Sequence, residues 1–159
     1  MKKFVFTLLL VFVCHLGYAQ GINGLFNEFG SEKNADCVKV SSFMMSLGKM
    51  FAGHDEDAKI IRKIKSIKVL DLESCTASVK ERFNKKVNKL NLKGYDELMR
   101  VNDEGEKVRV LMKTKKETIR ELLFVCTGKE DCTLVQINGK FTKDDINKLV
   151  NQETGKKHG

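Results

Sequence analysis

The stretch RELLFVCTGKEDCTLVQING, residues 120–139, decides the fold class. Two apolar segments, residues 120–127 and 132–139, flank the polar tetrapeptide GKED, and this pattern predicts a β-hairpin. The segment ELLFV is apolar at consecutive positions, as is typical of a strand that is buried on both faces. We therefore expect residues 120–127 to form a central strand of a sheet.

A second hairpin is predicted immediately upstream. The segments YDELMRV (95–101) and KVRVLMKT (107–114) are joined by NDEGE, in which Gly105 is free to adopt a positive φ angle. Strands that follow one another so closely pair antiparallel, because a parallel pair needs a long crossover connection. Two further strands are predicted earlier, at DCVKVS (36–41) and SIKVLDLE (66–73), from their alternating patterns.

Four helical segments accompany these strands. The helix over 76–93 has Ser78 and Glu81 at capping-box spacing, and its apolar stripe comprises Val79, Phe83, Val87 and Leu90. Gly94 is predicted to end it. The last helix, 142–150, has Thr142 as its expected N-cap. The remaining two are a helix over 41–51, with Phe43, Leu47, Met50 and Phe51 on one face, and a short helix that carries Ile60, Ile61 and Ile64. The element order predicts an α+β fold, a single mostly antiparallel sheet with helices packed on one face.

The N-terminus predicts export. MKK precedes the apolar run FVFTLLLVFVCHLG and then YAQ, which is the pattern of a signal peptide over residues 1–19 with cleavage after Ala19. The apolar run is shorter than the roughly 20 residues that span a bilayer. Lipidation at Cys14 is not favoured, because the bulky Phe12 and Val13 precede it. We expect a periplasmic or outer-membrane-associated protein.

Length and composition predict one domain after export. Removal of residues 1–19 from the 159 leaves 140, which we divide into a flexible, glycine- and asparagine-rich lead-in (20–35), a single domain (36–150) and a frayed tail (151–159). The formal charge of +8 includes Lys2 and Lys3, so the exported chain is about +6. This balance favours an anionic membrane, glycan or envelope protein as partner. Export argues against nucleic acid.

The exported chain has four cysteines, and an even number in an exported protein predicts disulfides. Cys126 and Cys132 flank the GKED turn, so we expect a disulfide across the hairpin, with Phe124 opposite Leu134. Subtraction leaves Cys37 and Cys75 as the second pair. A zinc site needs closer ligand pairs, and redox motifs usually separate their cysteines by two residues at a helix start. The predicted role is structural.

Two polar clusters are candidate sites. The first is HDED, from His54 to Asp57, whose side chains include oxygen and nitrogen donors but match no calcium-loop spacing. The second is a basic stripe on the helix over 76–93, a candidate contact surface for anions that comprises Arg82, Lys85, Lys86, Lys89 and Lys93. No serine–histidine–acid set, phosphate loop or HExxH motif is present. The sequence therefore predicts no catalytic residue, no metal ligand and no cofactor.

Residues 36–150 resemble domain-of-unknown-function family 4252, small exported proteins of Gram-negative bacteria. The resemblance rests on VKVSSFMMSLGKM, IRKIKSIKVLDLES, GYDELMRVNDEGEKVRVLMKTKKETIRELLFVCTG and LVQINGKFTKDDINKL. It implies no catalytic residue. Many relatives look like lipoproteins, and the family implies a link to envelope signalling. We therefore expect a non-enzymatic envelope accessory or binding protein; the alternative is an enzyme or a metal-binding module that uses His54–Asp57.

Overall fold

Six strands form one antiparallel sheet in the computed structural model, which describes residues 21–42, 44–45 and 56–155. The strands are β1 (Asp36–Val40), β2 (Ile64–Asp71), β3 (Asp96–Asp103), β4 (Glu106–Lys115), β5 (Thr118–Thr127) and β6 (Thr133–Phe141). Their order across the sheet is β1-β2-β6-β5-β4-β3, and every neighbouring pair is antiparallel. The predicted α+β class is confirmed, as are both hairpins and the central position of β5.

Helices flank the sheet in the described part of the chain: α1 (Ile22–Phe29), α2 (Glu56–Lys63), α3 (Ala77–Asn88) and α4 (Lys143–Gly155). Within those residues, no helix is both long and apolar enough to cross a membrane.

The first face of the sheet is covered by α1 and α3. Its core contains Phe26 and Phe29 from α1, Phe83 from α3, and Leu123 and Leu134 from the central strands. The rings of Phe29 and Phe83 meet edge to face, with their centroids 5.3 Å apart, a geometry that the charge distribution of aromatic rings favours.

Among the described residues, helices cover the second face only at one end. Leu122 neighbours Leu123 in β5, and successive side chains of a strand point to opposite faces. Leu122 accordingly belongs to a separate core with Ile60 of α2, Ile146 of α4 and Phe141. The prediction of helices on one face is confirmed for α1 and α3, which cover the first face. The structure adds α2 and α4, which pack at one end of the second face.

The prediction of a flexible lead-in over 20–35 is wrong for its central part. Residues 22–29 form α1, and Leu25, Phe26 and Phe29 are at most 2% exposed. The apolar residues of α1 recur at three- and four-residue spacing, which places them on one helical face. The glycines and asparagines around them hid this pattern.

Helix boundaries differ from the sequence prediction at α3 but not at the start of α4. Thr76, not Ser78, caps α3, because its Oγ1 accepts a hydrogen bond from Val79 N at 3.4 Å. The helix ends at Asn88, while Gly94 (φ +89°) lies in the turn before β3.

At the start of α4, the predicted cap at Thr142 is confirmed. Thr142 Oγ1 accepts from Asp145 N at 3.2 Å, and Asp145 Oδ2 accepts from Thr142 N at 2.7 Å. These reciprocal bonds form a capping box. The helix continues to Gly155, into the segment that was expected to fray.

Some predictions fall outside the described residues. These are the signal peptide (1–19) and most of the helix over 41–51, including Phe43, Leu47, Met50 and Phe51. The short helix before β2 is confirmed as α2, although Ile64 is the first residue of β2 rather than part of the helix.

Candidate functional site

The second face carries a row of apolar residues that crosses all six strands. The strand register places one member in each strand, in the order Val38, Val69, Val135, Phe124, Val110 and Met99. With strands about 4.8 Å apart, the five intervals of this apolar row extend about 24 Å. The row is therefore a continuous surface rather than scattered side chains.

The apolar row is open to solvent at three of its six positions. Val38 is 55% exposed, Met99 49% and Phe124 36%; Val101, beside Met99 on the same face, is 45% exposed. Val69 and Val135 are partly buried, and Val110 is 8% exposed. The core between the sheet and helices α2 and α4 takes in Leu122 and Ile137, one step along the strands from the row. Several exposed apolar side chains on one face of a sheet usually mark an interaction site.

Carboxylates border the apolar row at the end away from α2 and α4. Asp36 pairs with Asp71 across β1 and β2, and Asp103 pairs with Glu106 across β3 and β4. Alternation along each strand places all four on the second face. Glu106 Oε1 accepts a hydrogen bond from Glu130 N at 3.3 Å, whereas its Oε2 is buried without a partner in the described part of the chain.

Sequence reasoning missed the apolar row because it judged each strand separately. The signal was present in β5 and β6, where Phe124 and Val135 alternate with the buried Leu123 and Leu134. A sheet with apolar side chains on both faces must bury each face against another structural element. Only the register shows that the outward residues of separate strands line up.

The predicted basic stripe is largely occupied by ion pairs. Arg82 lies against both Glu32 and Glu28, and Lys86 Nζ is 2.5 Å from Glu28 Oε2. Lys85 Nζ is 2.9 Å from Glu81 Oε1, one turn away. The Arg82 and Lys86 pairs join α3 to α1 and its following loop, so these two side chains have a structural role.

The remaining members of the stripe do not lie on the helix proper. Lys89 is the C-cap of α3, and Lys93 lies in the following loop, where both are exposed. A contact between the stripe and an anionic surface stays a prediction, with fewer uncompensated charges than the sequence suggested.

The prediction of two disulfides is wrong, because Cys37, Cys75, Cys126 and Cys132 are all free thiols. The hairpin register pairs Cys126 with Thr133, and Phe124 with Val135 rather than with Leu134. A slip of one residue moves a side chain to the other face of a sheet. Cys126 therefore lies on the second face, while Cys132 Sγ lies on the first, 3.3 Å from Asn84 Oδ1 of α3.

The thiols have a protected environment. Burial raises the pKa of Cys75, Cys126 and Cys132. Cys75 Sγ donates to Lys33 O at 3.5 Å, and Cys132 Sγ donates to Gly128 O at 3.4 Å. A raised pKa disfavours the thiolate, which is the reactive form of cysteine.

The HDED cluster is only partly described. His54 and Asp55 lie outside the described residues, while Glu56 and Asp57 open α2. Across the described ranges, no group of three or more His, Cys, Asp and Glu side chains is arranged to hold a metal ion.

In the part of the chain that the structure describes, the fold is a single-sheet α+β domain whose first face is covered by helices and whose second face carries exposed apolar side chains. The model of a protein family described as a domain of unknown function (DUF4252) matches residues 29–149, and the chain belongs to this family. The resemblance found in the sequence is thereby confirmed. No curated protein and no solved structure gives a significant match to the chain.

Proposed function

We propose that this chain is an exported, non-enzymatic binding domain of the cell envelope that docks a partner protein through its second face. The observation that carries the proposal is the apolar row across six strands, whose members Val38, Phe124 and Met99 are exposed. The signal-like residues 1–19 support the location. The role in envelope signalling that the family resemblance implies is compatible with such a docking domain.

The charges around the apolar row specify the partner's chemistry. Asp36, Asp71, Asp103 and Glu106 border it, and an anionic membrane would be repelled by this edge. A protein that presents apolar side chains next to lysine or arginine is complementary to both features, because complementary potentials favour encounter and fix orientation. The partner is therefore a protein with an apolar patch and an adjacent basic edge.

Position-specific photo-crosslinking in intact cells tests this proposal. A crosslinker replaces Val38 or Val101 on the second face, and matched controls replace the adjacent Lys39 or Asn102, whose side chains point to the other face. We expect a discrete adduct of the same mass from both second-face positions and none from either control. Equal crosslinking from all four positions, or none from the second face, would contradict the proposal.

A charge placed in the row provides the second measurement. Phe124→Lys keeps an exposed position exposed, so the protein is expected to fold while the adduct from Val101 is lost. The control Lys39→Glu changes a charge on the first face and should leave the adduct intact. An adduct that survives Phe124→Lys in a folded protein would place the partner elsewhere.

A further inference from the structure

A basic cavity lies between α2 and α4, apart from the apolar row. It has a volume of about 420 Å³ and is lined by Lys59, Ile60, Arg62, Lys63, Asp145 and Lys148. Four of these side chains are cationic and one is a carboxylate, so the lining has a formal excess of three positive charges. The volume falls within the range of small-molecule sites.

Helical spacing explains why the charges converge. Lys59, Arg62 and Lys63 are three and four residues apart on α2, so their side chains share one face of the helix. Asp145 and Lys148 have the same relation on α4. Two helices therefore present their charged faces to one cavity.

The single carboxylate is fully engaged within the protein. Lys63 Nζ donates to both oxygens of Asp145 at 2.7 Å, and Thr142 donates to Oδ2 through its backbone N at 2.7 Å and its Oγ1 at 2.9 Å. Burial alone would raise the pKa of Asp145, but these hydrogen bonds outweigh it and lower the pKa. Asp145 thus stays ionised and holds Lys63 in place.

We propose that this cavity binds a phosphate group. An arginine between lysines suits phosphate, because guanidinium matches two phosphate oxygens at once while ammonium groups add charge. Lys59, Arg62 and Lys148 each also interact within the protein, so the distinguishing feature is the charge excess and not an unpaired side chain. Ile60 supplies an apolar wall for the organic part of a phosphate ester. The ligand is either free phosphate or a phospholipid headgroup.

The first test is an NMR titration of the purified protein with inorganic phosphate at constant ionic strength. We expect saturable shifts confined to the amides of residues 59–63 and 145–148. Lys59→Gln, Arg62→Gln and Lys148→Gln together should weaken binding at least about tenfold, because hydrogen bonds to charged groups are strong. The matched control removes three charges elsewhere, through Lys85→Gln, Lys89→Gln and Lys93→Gln, and should leave affinity unchanged.

A second arm distinguishes the two sources of phosphate. The same proteins are sedimented with phosphatidylcholine vesicles that either contain or lack phosphatidylglycerol. Cavity-dependent binding of the anionic vesicles assigns a headgroup, and saturable shifts with inorganic phosphate alone assign free phosphate. The inference would be overturned if the cavity and control variants lost binding affinity equally, or if neither phosphate nor vesicles bound saturably. These outcomes are independent of docking at the second face, because no crosslinking position lies in the cavity.

Discussion

The direction of a single side chain decides the chemistry of the GKED hairpin. Cys126 and Cys132 are close in sequence, yet Cys126 lies on the second face and Cys132 on the first, against α3. The register pairs Cys126 with Thr133, so the loop is one residue longer than a disulfide between Cys126 and Cys132 would require. Cys132 consequently acts as a small buried side chain, a common role for free cysteine, while Cys126 is partly buried on the opposite face.

Thiol alkylation tests this arrangement. In the chain from Gln20 onward, without reductant, we expect Cys75 and Cys132 to resist iodoacetamide in the folded state, because they are 7% and 0% exposed. Alkylation of Cys126 should accelerate only above the ordinary thiol pKa of about 8.5, because burial raises its pKa. Mass spectrometry counts the labels.

Unfolding in the absence of reductant supplies the control for that measurement. All four thiols should then be alkylated, since all are free. A mass that shows two thiols protected after unfolding would indicate a disulfide and contradict the structure.

Turns and helix caps determine where each strand or helix ends. Some of them have a clear sequence signal and others do not. The β3–β4 turn has Glu104 (φ +44°) and Gly105 (φ +88°) between the strands, as the NDEGE pattern predicted. The β4–β5 turn has the same left-handed conformation at Lys116 (φ +50°) and Glu117 (φ +64°), although neither residue type signals a turn in the sequence. Left-handed backbone disfavours side chains with a Cβ, so this second turn is strained.

Glu117→Gly is expected to stabilise the domain. Relief of the left-handed conformation is worth about 1 kcal/mol in the free energy of unfolding. Lys115→Gly is the matched control: Lys115 is a residue of β4 outside the positive-φ region, so glycine there should lower stability. Urea denaturation measures both. A loss of stability in Glu117→Gly equal to that of the control would contradict the turn geometry.

In the described part of the molecule, the two faces of the sheet are covered to different extents. Helix α1 is essential to the larger core, which lies on the first face. Phe29 is completely buried, in contact with Phe83 and beneath the guanidinium of Arg82, 5.3 Å from the ring centroid. The ion pairs from α3 to Glu28 and Glu32 add a polar edge to the same contact. The segment before β1 is thus part of the domain.

Two phenylalanine-to-alanine substitutions compare how much each face of the sheet contributes to stability. Phe29→Ala should lower the free energy of unfolding by about 3–5 kcal/mol, the usual cost of a phenylalanine cavity. Phe124→Ala, on the open second face, should cost less than about 1 kcal/mol. The difference in free energy of unfolding is measured from the urea midpoints of variants whose m-values are equal. Similar losses in both variants would mean that the second face is covered in the isolated protein.

Local patterns predicted the strands well, because Gly105, alternation in β2 and the apolar run in β5 each act within a few residues. What they did not predict depends on distant partners. The burial of α1 requires Phe83, which lies far along the chain, and the apolar row requires the register of all six strands. Arg82, Lys85 and Lys86 of the basic stripe lie on α3 as predicted, but the pairing of Arg82 with Glu28 and Glu32 is a tertiary contact.

The central claim, that a partner protein covers the second face, is tested most directly by hydroxyl-radical footprinting of Met99. The same residue is labelled in the purified protein and in intact cells, with the buried Phe83 as the baseline. We predict rapid oxidation of Met99 in the purified protein, where it is 49% exposed, and strong protection in cells. Equal oxidation in both would contradict the claim, because the second face would then be open where the protein works.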